Sequence, residues 1–274
     1  MPMTTPECPE SPKVTPEHGI DEQSIQEQRR FELELSERSF LAGPRSRLND
    51  LGTLFKVSWD FMKAFRVLHF VGPCVTIFGS ARVQPGTTYY EMARKMGARI
   101  AEMGFTVMTG GGPGIMEAGN RGAFEQGGRS IGVNIALPFE QKGNPYVDRE
   151  VTMHYFFTRK TVLVKYSYAF IVMPGGAGTL DEMFETMTLI QTGKIRNFPI
   201  VLMGKDYWQP LVDFLYKMAD EGMISPDDPE LIFFTDDIDE AANHIQRHAI
   251  QQFGLRKKFL PSGIPALGEK NLVK

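Results

Sequence analysis

Three glycine-rich stretches, FGSAR at 78–82, TGGGPGIME at 109–117 and PGGAGTLDE at 174–182, each follow an apolar run, and the second and third open segments of helical spacing. Glycine lets backbone amides approach a ligand with no Cβ in the way, and amides at a helix N-terminus favour an anion through the helix dipole. A single stretch of this kind is as readily a tight turn. Three at the ends of apolar runs point to a ligand carrying phosphate. In the last of them Thr179 opens the helix and Glu182 follows three positions later, which sets hydroxyl and carboxylate on neighbouring faces of its first turns. With phosphate in the glycine turn, Glu182 stands about one helical pitch away, ~5 Å along the axis, where the ribose of a nucleotide reaches. Read in isolation, Asp181 and Glu182 need only complement the helix dipole, worth ~0.3–1 kcal/mol at an exposed site.

The segment MHYFFTRK (153–160) adds cations. Thr158 reads as a helix N-cap, which places Arg159 and Lys160 in a first turn where the dipole disfavours positive charge, so the pair either points to solvent or meets an anion. The fingerprint of a dinucleotide site is missing: the first apolar run ends in GSAR, not GxGxxG, and no acid closes the second to hold an adenosine ribose. No GxxxxGK[ST] occurs either. These features favour a mononucleotide or a sugar phosphate.

The elements that position these turns are legible from Pro73 onward, where short apolar runs alternate with amphipathic stretches. The runs are CVTIFG (74–79), FTVMTG (105–110), SIGVNIA (130–136), VTMHYFF (151–157), AFIVMPGG (169–176), PIVLMG (199–204) and LIFFTD (231–236). Strands apolar on both faces and separated by helices specify an α/β fold, a doubly wound, Rossmann-like parallel sheet of about seven strands. Ligands of such sheets sit outside the carboxyl ends of the strands, where the glycine turns fall. Ahead of the sheet, 1–22 has the composition of a disordered tail, with five prolines. A helical extension is expected over 23–70, with one helix over 25–40 and a second over 45–69. The second carries Leu51, Leu54, Phe55, Trp59, Met62 and Phe65 on one stripe, to be packed on the main domain or used as a dimer surface. The nucleotide-binding domain then spans 71–254, and 255–274 is a polar tail.

Composition narrows the function classes. The net charge of −3, from 30 basic and 33 acidic residues, gives no general attraction to nucleic acid or an anionic membrane. No apolar segment reaches the ~18 residues of a membrane helix, and the N-terminus has no leader pattern, so a cytoplasmic location is expected. Cys8 and Cys74 form no disulfide framework. His244 and His248, four apart on the last helix, lack an evident acidic third ligand, so a half-buried helix face is favoured over a metal site.

GGGPGIMEAGNRGA, the TRK segment and PGGAGTLDE, in this order and spacing, resemble the Lonely Guy (LOG) family of cytokinin riboside 5′-monophosphate phosphoribohydrolases, once often labelled lysine decarboxylases. The resemblance covers about 73–253. It implies cleavage of the N-glycosidic bond of a nucleoside 5′-monophosphate such as AMP, by a homodimer without a cofactor. It also implies that Arg159 and Glu182 are the essential pair, that Gly175, Gly176, Gly178 and Thr179 hold the phosphate, and that Ser80, Gly110, Gly111 and Gly112 line the same pocket. Met116, Met153 and His154 are candidate base contacts. The run Gly114-Ile115-Met116-Glu117 departs from the Gly-Leu-Met-Gly of compact members, and with the N-terminal extension it places the chain among longer bacterial-type members. Rival readings are a nucleotide or molybdenum-cofactor carrier, and a single-stranded DNA binder, which the net charge disfavours.

Overall fold

The computed structural model describes residues 43, 46–137 and 143–253, with side chains described as far as His248. All of them lie in the compact unit Gly43–Lys274. The expected tails at 1–22 and 255–274 and the expected helix over 25–40 lie outside the described residues.

The elements follow in the order α1 (Arg47–Leu68), β1 (Cys74–Phe78), α2 (Thr88–Glu102), β2 (Thr106–Thr109), α3 (Ile115–Glu125), β3 (Ser130–Ile135) and β4 (Arg149–Met153). Next come α4 (Phe156–Tyr166), β5 (Ser167–Val172), α5 (Ala177–Gln191), β6 (Ile200–Leu202), α6 (Lys205–Asp220), a short 3-10 turn, β7 (Ile232–Phe234) and α7 (Ile238–Phe253). The seven strands form one parallel sheet in the order β4-β3-β2-β1-β5-β6-β7. The run VTMHYFF is divided: β4 ends at Met153, and the two phenylalanines already belong to α4.

The continuous apolar runs are explained by two cores, one on each face of the sheet. Alternate strand residues feed them in turn. Cys74, Phe78, Phe170, Val172 and Leu202 join α1, α4, α5 and α6 on one face, while Val75, Ile77, Ala169, Ile171 and Val201 join α2, α3 and α7 on the other. At the centre of the first core Phe170 meets Phe78 and Phe198 edge-on, with centroids 4.8 and 4.9 Å apart. In the second, α2 and α3 pack with backbone almost in contact, because a Cβ at Gly97 or Gly122 would collide with a carbonyl of the facing helix.

The chain winds outward from β1 to β4 and then returns to pair β5 with β1, in the register Thr76↔Phe170 to Phe78↔Val172. At this reversal the connections leaving β1 and β5 diverge to opposite faces and open a crevice between them.

Candidate active site

The turns after β1 and β5 are tied together across the crevice. The Ser80 amide donates to the Pro174 carbonyl (3.0 Å), and the Ser80 carbonyl accepts from the Ile115 amide (3.0 Å) at the start of α3. From α6, the Tyr207 hydroxyl donates to the Gly175 carbonyl (2.8 Å). The result is a cleft of about 740 Å³ lined by, among others, Ser80, Arg82, Met116, Arg159, Thr179 and Glu182.

The glycines of the two helix-opening turns exist for different reasons. A side chain at Gly175 would collide with Thr179, whereas a Cβ at Gly176 or Gly178 would meet nothing within 4 Å. Neither of these two has positive φ. Packing therefore leaves both positions free, and their bare backbone borders the cleft at the start of α5, whose N-cap residue Gly176 has no side chain to satisfy the first amides. In the turn after β2, Gly111 (φ 72°) packs on Gly132, Gly114 (φ 71°) presses on Ser80 and Ala81, and a Cβ at Gly110 would strike the Arg159 guanidinium. That turn is held from behind. Thr109 Oγ1 accepts from the Gly111 amide, and buried Asn144 donates to the Gly112 carbonyl (3.2 Å) and to Asn120 Oδ1 (2.9 Å). Gly110, Gly111 and Gly112 are not among the residues lining the cleft; Gly110 backs the Arg159 guanidinium, and Gly111 packs on Gly132.

Arg159 projects from α4 and its Nε–H donates to the Val133 carbonyl of β3 (2.9 Å), which aims the guanidinium along the carboxyl edge of the sheet. Burial pulls its pKa down and the Glu182 carboxylate opposes that shift; a guanidinium remains a cation. Glu182, from the second turn of α5, is 4% exposed, and its Oε2 has no hydrogen-bond partner. Burial raises its pKa to about 7 against the opposing pull of Arg159 and Lys160. A carboxyl poised there can give or take a proton near neutral pH. Lys160 lies between Asp181 (2.8 Å) and Glu185 (3.0 Å). Burial works against its charge, but these two carboxylates outweigh it and its pKa is raised.

Several expectations are corrected by this arrangement. Thr158 is not the N-cap of α4. The helix begins three residues earlier than that cap implies, Tyr155 holds the cap position, and Thr158 donates to the Tyr155 carbonyl (2.8 Å). Lys160 finds its anions within the chain, so it does not itself call for an external one. Of the three candidate base contacts, Met116 lines the cleft. Met153 does not; it is wholly buried in the core. His154 does not either, since it is bonded to Asp60 of α1. Ser80, Gly175, Gly176, Gly178, Thr179, Arg159 and Glu182 all line the one cleft. The apolar stripe of α1 does not pack on the sheet: that helix buries Asp60, Ala64 and Leu68, while Leu54, Phe55, Trp59 and Met62 are exposed. His244 stacks flat on Phe233 at 4.2 Å, and burial with the nearby cations lowers its pKa to about 4. Sequence reasoning passed over Arg82, Tyr89 and Tyr207 as cleft residues. Only GSAR, with its cation directly after the small residues, carried a local signal for one of them.

Fold and cleft define a doubly wound α/β protein of Rossmann type with its site at the switch point of the sheet. The family profile described as "Possible lysine decarboxylase" matches residues 116–245. A protein of Rhodococcoides fascians named cytokinin riboside 5′-monophosphate phosphoribohydrolase is 32% identical over 173 residues, which is 61% of this chain and 86% of that protein. One of the same name from Mycobacterium tuberculosis is 32% identical over 154 residues, 55% of this chain and 82% of that one. Among solved structures, the molybdenum cofactor carrier protein of Chlamydomonas reinhardtii covers 64% of this chain and 97% of its own at 23% identity, with a TM-score of 0.49. The chain belongs to the LOG family of the two phosphoribohydrolases.

Proposed function

We propose that this protein hydrolyses the N-glycosidic bond of a nucleoside 5′-monophosphate, AMP or a cytokinin riboside monophosphate, releasing the free base and ribose 5-phosphate. The observation that carries the reading is Glu182: a buried carboxyl with an unpartnered oxygen, poised near pH 7, on the helix that begins at two glycines left free by packing. The names of the relatives support the same reaction.

The phosphate takes the turn at 175–179, where bare amides and the dipole of α5 favour an anion. The ribose then lies over the first turns of α5, beside Glu182. As the C1′–N bond breaks, positive charge develops on the sugar, and the Glu182 carboxylate stabilises it. A water molecule adds to C1′. Its proton passes to Glu182, its hydroxyl becomes the anomeric hydroxyl of ribose 5-phosphate, and the base leaves with the bonding electron pair and takes up that proton from Glu182, which returns to the carboxylate. Arg159 holds the substrate and balances the carboxylate beside the phosphate. Met116, in the first turn of α3, is the candidate for base selection. Decarboxylation of lysine through a Schiff base is not supported, because Lys160, beside Glu182 on the facing helix, is held as a cation by two carboxylates whereas that chemistry needs a neutral amine.

The test incubates the protein with AMP and, in parallel, isopentenyladenosine monophosphate, and separates the products by liquid chromatography, with Glu182→Ala as control. Release of base by the wild type alone supports the reading and ranks the two bases. Tight nucleotide binding without release overturns it in favour of a carrier. The same reading includes a homodimer, for which the exposed stripe of α1 is the surface to probe. Phe55→Glu combined with Trp59→Glu should halve the mass seen by light scattering, and an unchanged mass would place the interface elsewhere.

A further inference from the structure

Helix α4 carries Arg159 yet lacks a cap of its own. Tyr155, at its N-cap, makes no side-chain bond to the first turn, and both cations of that region, Arg159 and Lys160, sit toward the end where the dipole opposes them. The missing anion comes from almost a hundred residues upstream. Asp60 of α1 is completely buried, and its Oδ2 accepts the His154 backbone amide (2.7 Å) and lies 3.3 Å from the Thr158 hydroxyl, whose one proton it shares with the nearer Tyr155 carbonyl. Its Oδ1 accepts from His154 Nδ1 (2.7 Å) and from Lys63 Nζ (3.1 Å). Lys63 also donates to the Thr152 carbonyl at the end of β4 (3.3 Å). One carboxylate thus joins α1, the end of β4 and the first turn of α4, and the residue after Thr158 is Arg159. Hydrogen bonds from the side chain and backbone of His154, with Lys63, outweigh the cost of burial and hold the Asp60 pKa down to about 2, so it is an acceptor throughout the neutral range and His154 Nδ1 must be the donor.

We propose that Asp60 is a positioning residue for Arg159, pinning the chain at the start of α4 so that the guanidinium is set against the Val133 carbonyl and over the cleft. The assignment of a catalytic consequence rests on the hydrolase reading above; the placement of Arg159 does not. α1 is then a working part of the site.

Two measurements test this separately. In nitrogen-15 spectra the Arg159 Nε–H, partly buried and bonded to Val133, should exchange slowly in the wild type. In Asp60→Asn its exchange should accelerate at least about tenfold, while the β5 amides keep their protection. Asp60→Glu should restore part of it. Ala64→Gly, which loosens the same helix without touching the carboxylate, should leave it slow. Unchanged Arg159 protection in Asp60→Asn, or equal loss in Ala64→Gly, overturns the proposal whether or not the protein is a hydrolase. If AMP is cleaved, Asp60→Asn should lower kcat about ten- to a hundredfold, the scale of a roughly 1 Å misplacement, with a smaller change in KM. The same substitution in an Arg159→Ala background should cost nothing more. A full additional loss there would show that Asp60 does not act through Arg159. Absence of base release by the wild type would remove the hydrolase reading and leave the spectroscopic measurement to decide the placement.

Discussion

The turn after β5 and the turn after β2 look alike in sequence, PGGAG against TGGGPG, and each opens a helix at the carboxyl edge of the sheet. In the second, every glycine from Gly110 to Gly114 meets protein or adopts positive φ, apart from Gly112, whose carbonyl Asn144 holds. In the first, Gly176 and Gly178 meet nothing, and the cleft opens beside them. Glycine is a response to crowding, and only the identity of the crowding group separates a structural turn from a binding turn. Around one the group is the chain itself; around the other, on the proposed reading, it is the substrate's phosphate.

The largest expected effect sharpens what the β5 turn serves. Glu182→Gln should reduce base release about 10²–10⁴-fold in a product assay while the far-ultraviolet dichroism stays that of the wild type. Retained turnover would reduce Glu182 to a buried acid with no chemical role.

Next comes a direct contrast of the turns. Gly178→Val should weaken AMP binding by about tenfold or more in a calorimetric titration, with the melting temperature little changed, since its side chain enters open space. Gly114→Val should do the reverse, lowering stability by ~3 kcal/mol or more in urea denaturation, because it combines positive φ with a clash on the backbone of Ser80 and Ala81. If both variants lose only stability, the distinction between the turns fails.

A third effect concerns linkage. The folded-state pKa of Glu182 is raised to about 7 from 4.5, so between these values the unfolded chain releases a proton that the folded chain keeps. Wild-type stability therefore falls as pH rises across that window. Whatever the offset at pH 4, Glu182→Gln should gain on the wild type by about 2–3 kcal/mol between pH 4 and pH 8, measured by denaturant titration at both. A constant difference would mean that Glu182 is ionised well below neutral pH.

The smallest effect is a shift in a profile. With Glu182 acting as the carboxylate, the rate should climb with pH through an apparent value near 7. Lys160 lowers that value, so Lys160→Met should move the limb to higher pH. A move to lower pH would reverse the assigned sign.

The strands were legible because each is buried on both faces, and a continuous apolar run bounded by glycine has few other ways to fold. Glu182 was legible as well, since its place three residues beyond Thr179 is a matter of local helical spacing. The start of α4 was not. Thr158 is the natural local cap, and the helix begins earlier, just after the backbone amide of His154 that Asp60 of a different helix holds. The same limit applies to Lys160, whose carboxylate partners lie on α5, and to Met153, which differs from Met116 only in facing the core. By itself the sequence determined the parallel doubly wound sheet, the switch-point turns and the acid beside them, all consequences of periodicity and of spacing within one element. Tertiary structure alone decided which glycines are open, which cation is paired within the chain, and which carbonyl Arg159 meets. Each of these depends on which groups from distant elements occupy the same few ångströms, and local spacing carries no record of that.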